Sequence, residues 1–241
     1  MCSRKIILIY HAIGDGPWAV SECAFKSQIQ WLKTHVNIVS LPTLLGSQKQ
    51  KKIIEVALTF DDGYACLYDI VLPILQTEKL TATVYVNTGW MGEVARKDSN
   101  VSAGHYPGEK FLMWNEVKQL SQAGWEIGSH GVEHIDLTKQ PLSVMKSELL
   151  LSKQAIENQL QKKCVHFAYT YGSHVKQLRK AVSDVGYQFA VAGHHAPLKN
   201  YDKMMLPRLN IEAGYSIQDF ENIILGKWDF LGIIHRVKKW L

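Results

Sequence analysis

The chain has 241 residues, of which 46% are hydrophobic and 20% charged. That length fits one large α/β domain or two small ones with a sizeable core, and that balance argues against a disordered chain. The formal charge of +5 suits an acidic polymer or an anionic surface. It is too weak and too scattered for nucleic acid, and the short clusters Lys49-Gln50-Lys51-Lys52 and Arg236-Val237-Lys238-Lys239 read as solvated faces. Cysteines at 2, 23, 66 and 164 form no C-x-x-C pair, which points to reduced thiols.

In chain order, Lys5 to Tyr10 is a strand candidate. Its apolar run is too short for a signal peptide, and His11 and Asp15 follow at once. No stretch approaches the roughly 18 apolar residues that a membrane span needs. The expected location is therefore the cytoplasm. Phe25, Ile29 and Leu32 lie on one helix face, and Val56 to Phe60 forms the next strand. Residues 65–76 read as a helix that Pro73 should kink or end. Thr81 to Val86, rich in β-branched residues, is a strand.

Residues 88–112 carry Gly89, Gly92, Gly104, Pro107 and Gly108 and read as a long loop. Val117 and Leu120 mark a short helix that Gly124 ends. Trp125 to Ser129 is a further strand. Pro141 opens a longer helix with Leu142, Met145, Leu149, Ile156 and Leu160 on its apolar face. Strands at 165–169 and 188–192 flank a helix over about 174–184. Ser216 and Asp219 have capping-box spacing before an apolar stripe of Phe220, Ile223, Ile224, Trp228 and Leu231 with a basic end. The plain reading is a closing helix packed on the domain. The sharper one is an interfacial helix that touches anionic lipid.

Alternating strands and helices predict a parallel sheet, open or closed into a barrel. No linker or fixed-period repeat breaks the chain, so residues 1–241 read as a single domain. In such folds the reacting residues gather at the C-terminal ends of strands.

Asp61 and Asp62 end the strand Val56–Phe60, with Gly63 after them. Burying two like charges side by side is costly without a cation. A plain Asp-Asp-Gly turn is the common alternative. His130 and His134 stand four apart after the strand at 125–129. Two imidazoles at this spacing can reach one ion from a helical turn or a tight loop, whereas a lone pair four apart is often two surface or core histidines. Both pairs follow parallel strands, so both face one end of the sheet. One carboxylate and two imidazoles form a ligand set for Zn²⁺ or Fe²⁺, and a second carboxylate beside them is a natural general base. The spacing suggests metal-assisted hydrolysis. A non-haem iron oxygenase uses similar ligand types, more often on an antiparallel jelly roll.

Thr59-Phe60-Asp61-Asp62-Gly63-Tyr64 resembles the first motif of the polysaccharide deacetylases, the NodB-homology or family-four carbohydrate esterases. Ser129-His130-Gly131-Val132-Glu133-His134 resembles their second motif, and Phe167-Ala168-Tyr169-Thr170-Tyr171-Gly172 their third, which usually has Pro where Thr170 stands. Ala82–Val86, Trp114–Val117, Ala123–Gly128 and Leu206-Pro207-Arg208 are also similar to family sequence. Tyr10-His11, with Phe25 and Gln28 after it, resembles the branch that acts on poly-N-acetylglucosamine. The resemblance spans roughly residues 5–212, and several motifs in the right order are specific where one is not.

The resemblance implies an irregular (β/α) barrel of about seven parallel strands. It implies a divalent metal, Zn²⁺ first, held by Asp62, His130 and His134. Asp61 would be the general base, and the Tyr171 N–H would stabilise the oxyanion with the metal. A histidine would protonate the leaving amine. Strand-end position favours His11, with His235 as the alternative. The family's third motif often carries an Arg that orients the base. None stands near Tyr169, and Arg208 would supply that charge from the next strand end. Arg208 and Trp114 are candidate substrate contacts, and Trp18 and Trp90 are further rings that could stack on sugars. His194 and His195 follow a strand, so one could line the pocket.

The function so implied is hydrolysis of an N-acetyl group from an N-acetylated saccharide, expected to be a precursor in surface-glycan synthesis. The alternatives are a deformylase or other small-amide hydrolase with the same site, and an inactive glycan-binding module. All four motif residues are present, which argues against the last.

Overall fold

The computed structural model describes residues 4–16, 18–46, 53–92, 109–230 and 232. Strands β1 (Arg4–Tyr10) and β3 (Ile54–Phe60) pair in parallel along their whole length, from Arg4 opposite Ile54 to Tyr10 opposite Phe60. Their near-continuous apolar sequence fits strands covered on both faces. Between them, α1 (Glu22–His35) starts at Ser21, whose side chain accepts from the Ala24 N–H. It buries Phe25, Ile29 and Leu32 on the sheet, as their spacing predicts.

The chain then adds β4 (Thr83–Val86), β5 (Glu126–Ser129), β6 (His166–Ala168), β7 (Phe189–Val191) and β8 (Leu209–Asn210). The sheet order is β7-β6-β5-β4-β3-β1-β8, and every pair is parallel. A two-residue strand, β2 (Asn37–Ile38), pairs with the start of β3. One short segment joins the two edges. Leu206 bridges to Val191 of β7, and three residues later Leu209 and Asn210 pair with Leu8 and Ile9 of β1. The sheet thereby curls into the irregular (β/α) barrel expected from the sequence.

Alternation along the strands separates two cores. Ile6, Leu8, Val56, Leu58 and Val84 pack under the helices, while Ile7, Ala57, Tyr85, Ala168, Val191 and Leu206 cluster on the opposite face, inside the barrel. The outer layer comprises α1, α3 (Leu72–Thr77), α4 (Trp114–Gln122), α5 (Leu142–Leu160), α6 (Lys176–Asp184) and α7 (Ile217–Ile224), while α2 (Leu41–Gly46) packs Leu41 and Leu44 on the inner cluster.

Three local expectations need revision. Pro73 does not end its helix. It sits in the first turn of α3, and a π-helical stretch, Leu67–Val71, precedes it. The Leu72 N–H donates five residues back to Leu67, a wide turn that accommodates the donor missing at Pro73. Leu142 belongs to α5 but is 40% exposed, and Ser152 completes the buried face instead. The closing helix is short. Its capping box of Ser216 and Asp219 is present, but it ends at Ile224, and Gly226 at φ 83° turns the chain away. Phe220, Ile223 and Ile224 are buried, with Phe220 edge-on to Trp31 of α1 at 6.0 Å. Leu231, His235 and the basic cluster at 236–239 lie outside the described residues, as does most of the 88–112 loop. Among the described residues no helix is long and apolar enough to cross a membrane.

Candidate metal centre

The site is built from strand ends. The Asp61 N–H donates to the Tyr10 carbonyl at 3.0 Å, which extends the β1–β3 ladder by one step and fixes the backbone of the first carboxylate. Asp62 then turns into the left-handed region at φ 70°. Beyond β5, the His130 N–H donates to the Val86 carbonyl at 2.9 Å. Its ring Nδ1 lies 2.8 Å from the Ala168 carbonyl. A carbonyl only accepts, so Nδ1 carries the proton and the Nε2 lone pair points at the carboxylates.

His130 Nε2 is 3.5 Å and His134 Nε2 3.3 Å from the same Asp62 oxygen, Oδ1. All three residues are buried, and one ligand atom from each lies within 4.8 Å of the others. Ligands about 2.0–2.1 Å from a tetrahedral ion stand roughly 3.3 Å apart. The set thus fits a divalent cation by spacing and by donor type. The backbone carbonyl behind His130 is the outer partner that metal-bound imidazoles use. Burial pushes the His130 imidazolium down to about 4 against the opposing pull of Asp61, so the ring is neutral near neutral pH.

The loop from His130 to His134 is held from outside. Glu148 of α5 accepts from the Val132 and Glu133 N–H groups at 2.8 and 3.2 Å. Asn87, fully buried after β4, donates its amide to the His130 carbonyl at 2.8 Å. Sequence reasoning missed both. The only signal was their place, Asn87 at a strand end and Glu148 one helix away.

Asp61 stands 3.9 Å from His130 Nε2 and faces Arg208. The guanidinium grips both carboxylate oxygens at 2.7 Å, while its Nε donates to the Ala192 carbonyl at 3.1 Å. Burial alone would raise the Asp61 carboxyl. Arg208, helped by His130, outweighs it and holds the group at about 2. Arg208 comes from the segment that closes the barrel.

A cavity of about 400 Å³ opens over these groups. Asp61, Asp62, His130 and His134 line it together with His11 and Tyr171, so six of the residues singled out in the sequence meet there. Tyr171 follows β6 at φ 57°, its ring 4.8 Å from that of His134. A Cβ on the next residue, Gly172, would fall 2.5 Å from the Gly193 Cα, so this turn demands glycine. Asp62, His134 and Tyr171 are all non-glycine residues at positive φ, a strain of about 1–3 kcal/mol each that clusters where side chains must be aimed. His195 lines the cavity as well, and Asn210, Glu212 and Tyr215 form a further wall.

Two expected substrate contacts stand elsewhere. Arg208 is 1% exposed and committed to Asp61, and it does not line the cavity. Trp114 opens α4 and packs on the main core. Trp90 lies against Phe111 at 5.3 Å, and Trp18 is 67% exposed outside the cavity. His235 lies outside the described residues.

A parallel (β/α) barrel with a buried Asp-His-His cluster able to hold a metal ion, beside a second carboxylate, fits the architecture of a hydrolase. Residues 48–190 match the model of the polysaccharide deacetylases, and the chain belongs to that family. Such proteins hydrolyse amide bonds of polysaccharides.

The chain is 26% identical over 225 residues to the poly-β-1,6-N-acetyl-D-glucosamine N-deacetylase of Staphylococcus aureus, covering 88% of this chain and 72% of that one. It is 26% identical over 216 residues to the Bacillus subtilis protein YxkH, covering 87% and 72%. The same fold recurs in IcaB from Ammonifex degensii, with a TM-score of 0.76 at 18% identity over 92% of this chain and 96% of that one. The Streptococcus pyogenes deacetylase PplD gives 0.75 at 22% over 93% and 99%.

Proposed function

We propose that this protein removes the N-acetyl group from an N-acetylated glucosamine saccharide, with Zn²⁺ as the working ion. The observation that carries the reading is the buried Asp62-His130-His134 cluster, with the ionised Asp61 beside it in one cavity. The names of the Staphylococcus aureus relatives support the choice of sugar.

A divalent cation in this cluster would supply a Lewis acid that acidifies water and draws charge from an amide oxygen. The Asp61 carboxylate takes the proton of the attacking water, held in place by the two-pronged Arg208 contact. The amide oxygen gains negative charge as the water oxygen adds to carbon. The Tyr171 backbone N–H donates to it. His11 gives a proton to the nitrogen as the C–N bond breaks, leaving acetate and a free amine.

Acetate release from β-1,6-linked N-acetylglucosamine oligomers tests this, measured as purified, after chelation, and after Zn²⁺ is returned. Release that chelation abolishes and Zn²⁺ restores is expected. Release untouched by thorough chelation contradicts the metal, and no release from any N-acetylated oligomer contradicts the substrate.

A further inference from the structure

Thr170 stands where the third motif that this segment resembles usually has proline. Its side chain is 4% exposed, and its hydroxyl donates to the Ile135 carbonyl at 2.6 Å across a separation of 35 residues. Both ends of that bond are next to site residues. Ile135 directly follows His134, which is held at φ 54°. Thr170 directly precedes Tyr171, which is held at φ 57°. Neither conformation is one that a side-chain-bearing residue prefers, so each needs its flanks fixed.

Two other contacts cross between the segments, from His130 Nδ1 to the Ala168 carbonyl and between the His134 and Tyr171 rings, while further restraints act within one side. On the Tyr171 turn, the Gly172 N–H donates to the Tyr169 carbonyl at 2.8 Å, and the Gly193 N–H donates to the Gly172 carbonyl at 3.2 Å. On the His134 loop, Glu148 holds Val132 and Glu133. Thr170 joins the residue after His134 directly to the residue before Tyr171. A proline fixes its own φ near −65° but brings no hydroxyl.

We propose that Thr170 is a positioning residue that ties the turn carrying the Tyr171 N–H to the backbone of His134, so that oxyanion donor and metal ligand keep one spacing. This rests on the deacetylase reading above. It accounts for a polar residue at a buried position where proline would serve for turn geometry alone.

The test is a Co²⁺ titration of metal-free protein, followed by visible absorption, with kcat and KM measured on the loaded enzyme. Thr170→Val removes the hydroxyl at constant shape, Thr170→Ser keeps it, and Thr170→Ala replaces the valine variant should that one not fold. The expected result is about 10-fold weaker Co²⁺ binding and an altered visible spectrum in Thr170→Val, the loss typical of an outer-shell partner. kcat should fall with KM nearly unchanged, and Thr170→Ser should behave as wild type. A hydroxyl-free variant with wild-type affinity, spectrum and kcat overturns the proposal. So does a serine variant as impaired as valine, since packing would then be the cause. Failure of the wild-type protein to bind Co²⁺ identifies a different fault, in the metal reading itself.

Discussion

The base role proposed for Asp61 requires an ionised carboxylate, yet the residue is 2% exposed, and burial works against its charge. Arg208 resolves this by lying on both oxygens. Because the folded pKa is about 2 and the unfolded one about 3.9, the pair's stabilisation is complete above roughly pH 4. It is lost as pH falls through the folded value. Arg208→Met leaves the carboxylate buried and unpaired. The folded pKa then rises above the unfolded one, the acid limb of kcat/KM moves to higher pH, and urea denaturation at pH 7 should show a loss of about 3–5 kcal/mol. An unmoved acid limb would mean that Arg208 does not set the ionisation of the base.

Two further substitutions separate chemical roles at this scale. Asp61→Asn should lower kcat by about 10²–10⁴-fold with metal content intact, as expected of a lost general base. His11→Ala should cause a similar fall in kcat with metal content intact. Turnover that survives His11→Ala would pass the acid role to another histidine. His195, which shares the cavity, would be the first to exchange for alanine.

At the scale of elements, what the sequence revealed was local. Strands with unbroken apolar runs and helices with a clear 3.6-residue stripe stood out, and so did the polar residues at their ends, because each signal lies within a short window. Asp61-Asp62 and His130-His134 were readable for that reason. The grip of Arg208 on Asp61 was reached only through the family resemblance, which left a place for an orienting Arg, since 147 residues separate the two and only closure of the sheet brings them together. Asn87 and Glu148 went unnoticed because a lone amide or carboxylate on a strand end or helix has no spacing to mark it. Strand β2 and helix α2 were missed because two and six residues carry too little periodicity. The π-helical stretch before α3 is invisible to a 3.6-residue template.

The capping box of α7 offers a check on an element rather than a site. Ser216 accepts from the Asp219 N–H, and the Asp219 carboxylate accepts from the Ser216 N–H. Ser216→Ala should cost about 1 kcal/mol in chemical denaturation. It should leave turnover per folded molecule unchanged, because α7 buries Phe220 and Ile223 against the main core. A large loss of turnover would link α7 to the cavity more closely than its packing suggests.

For the whole molecule, closure of the barrel is what makes the site. Residues 206–210 join β7 to β1 and in the same stretch deliver Arg208 to Asp61. Asp62 after β3 and His130 and His134 after β5 meet over the same end. A cation bound by the folded state alone should raise the melting temperature by mass action, with about 2.7 kcal/mol gained at a free concentration 100 times Kd. That shift should vanish in Asp62→Ala. The most direct measurement is metal content per chain after loading with Zn²⁺ and dialysis, for wild type, Asp61→Asn and Asp62→Ala. One equivalent in the first two and none in the third is the expected result. One equivalent retained by Asp62→Ala, or none bound by wild type, would contradict the assignment of this cluster as the metal centre.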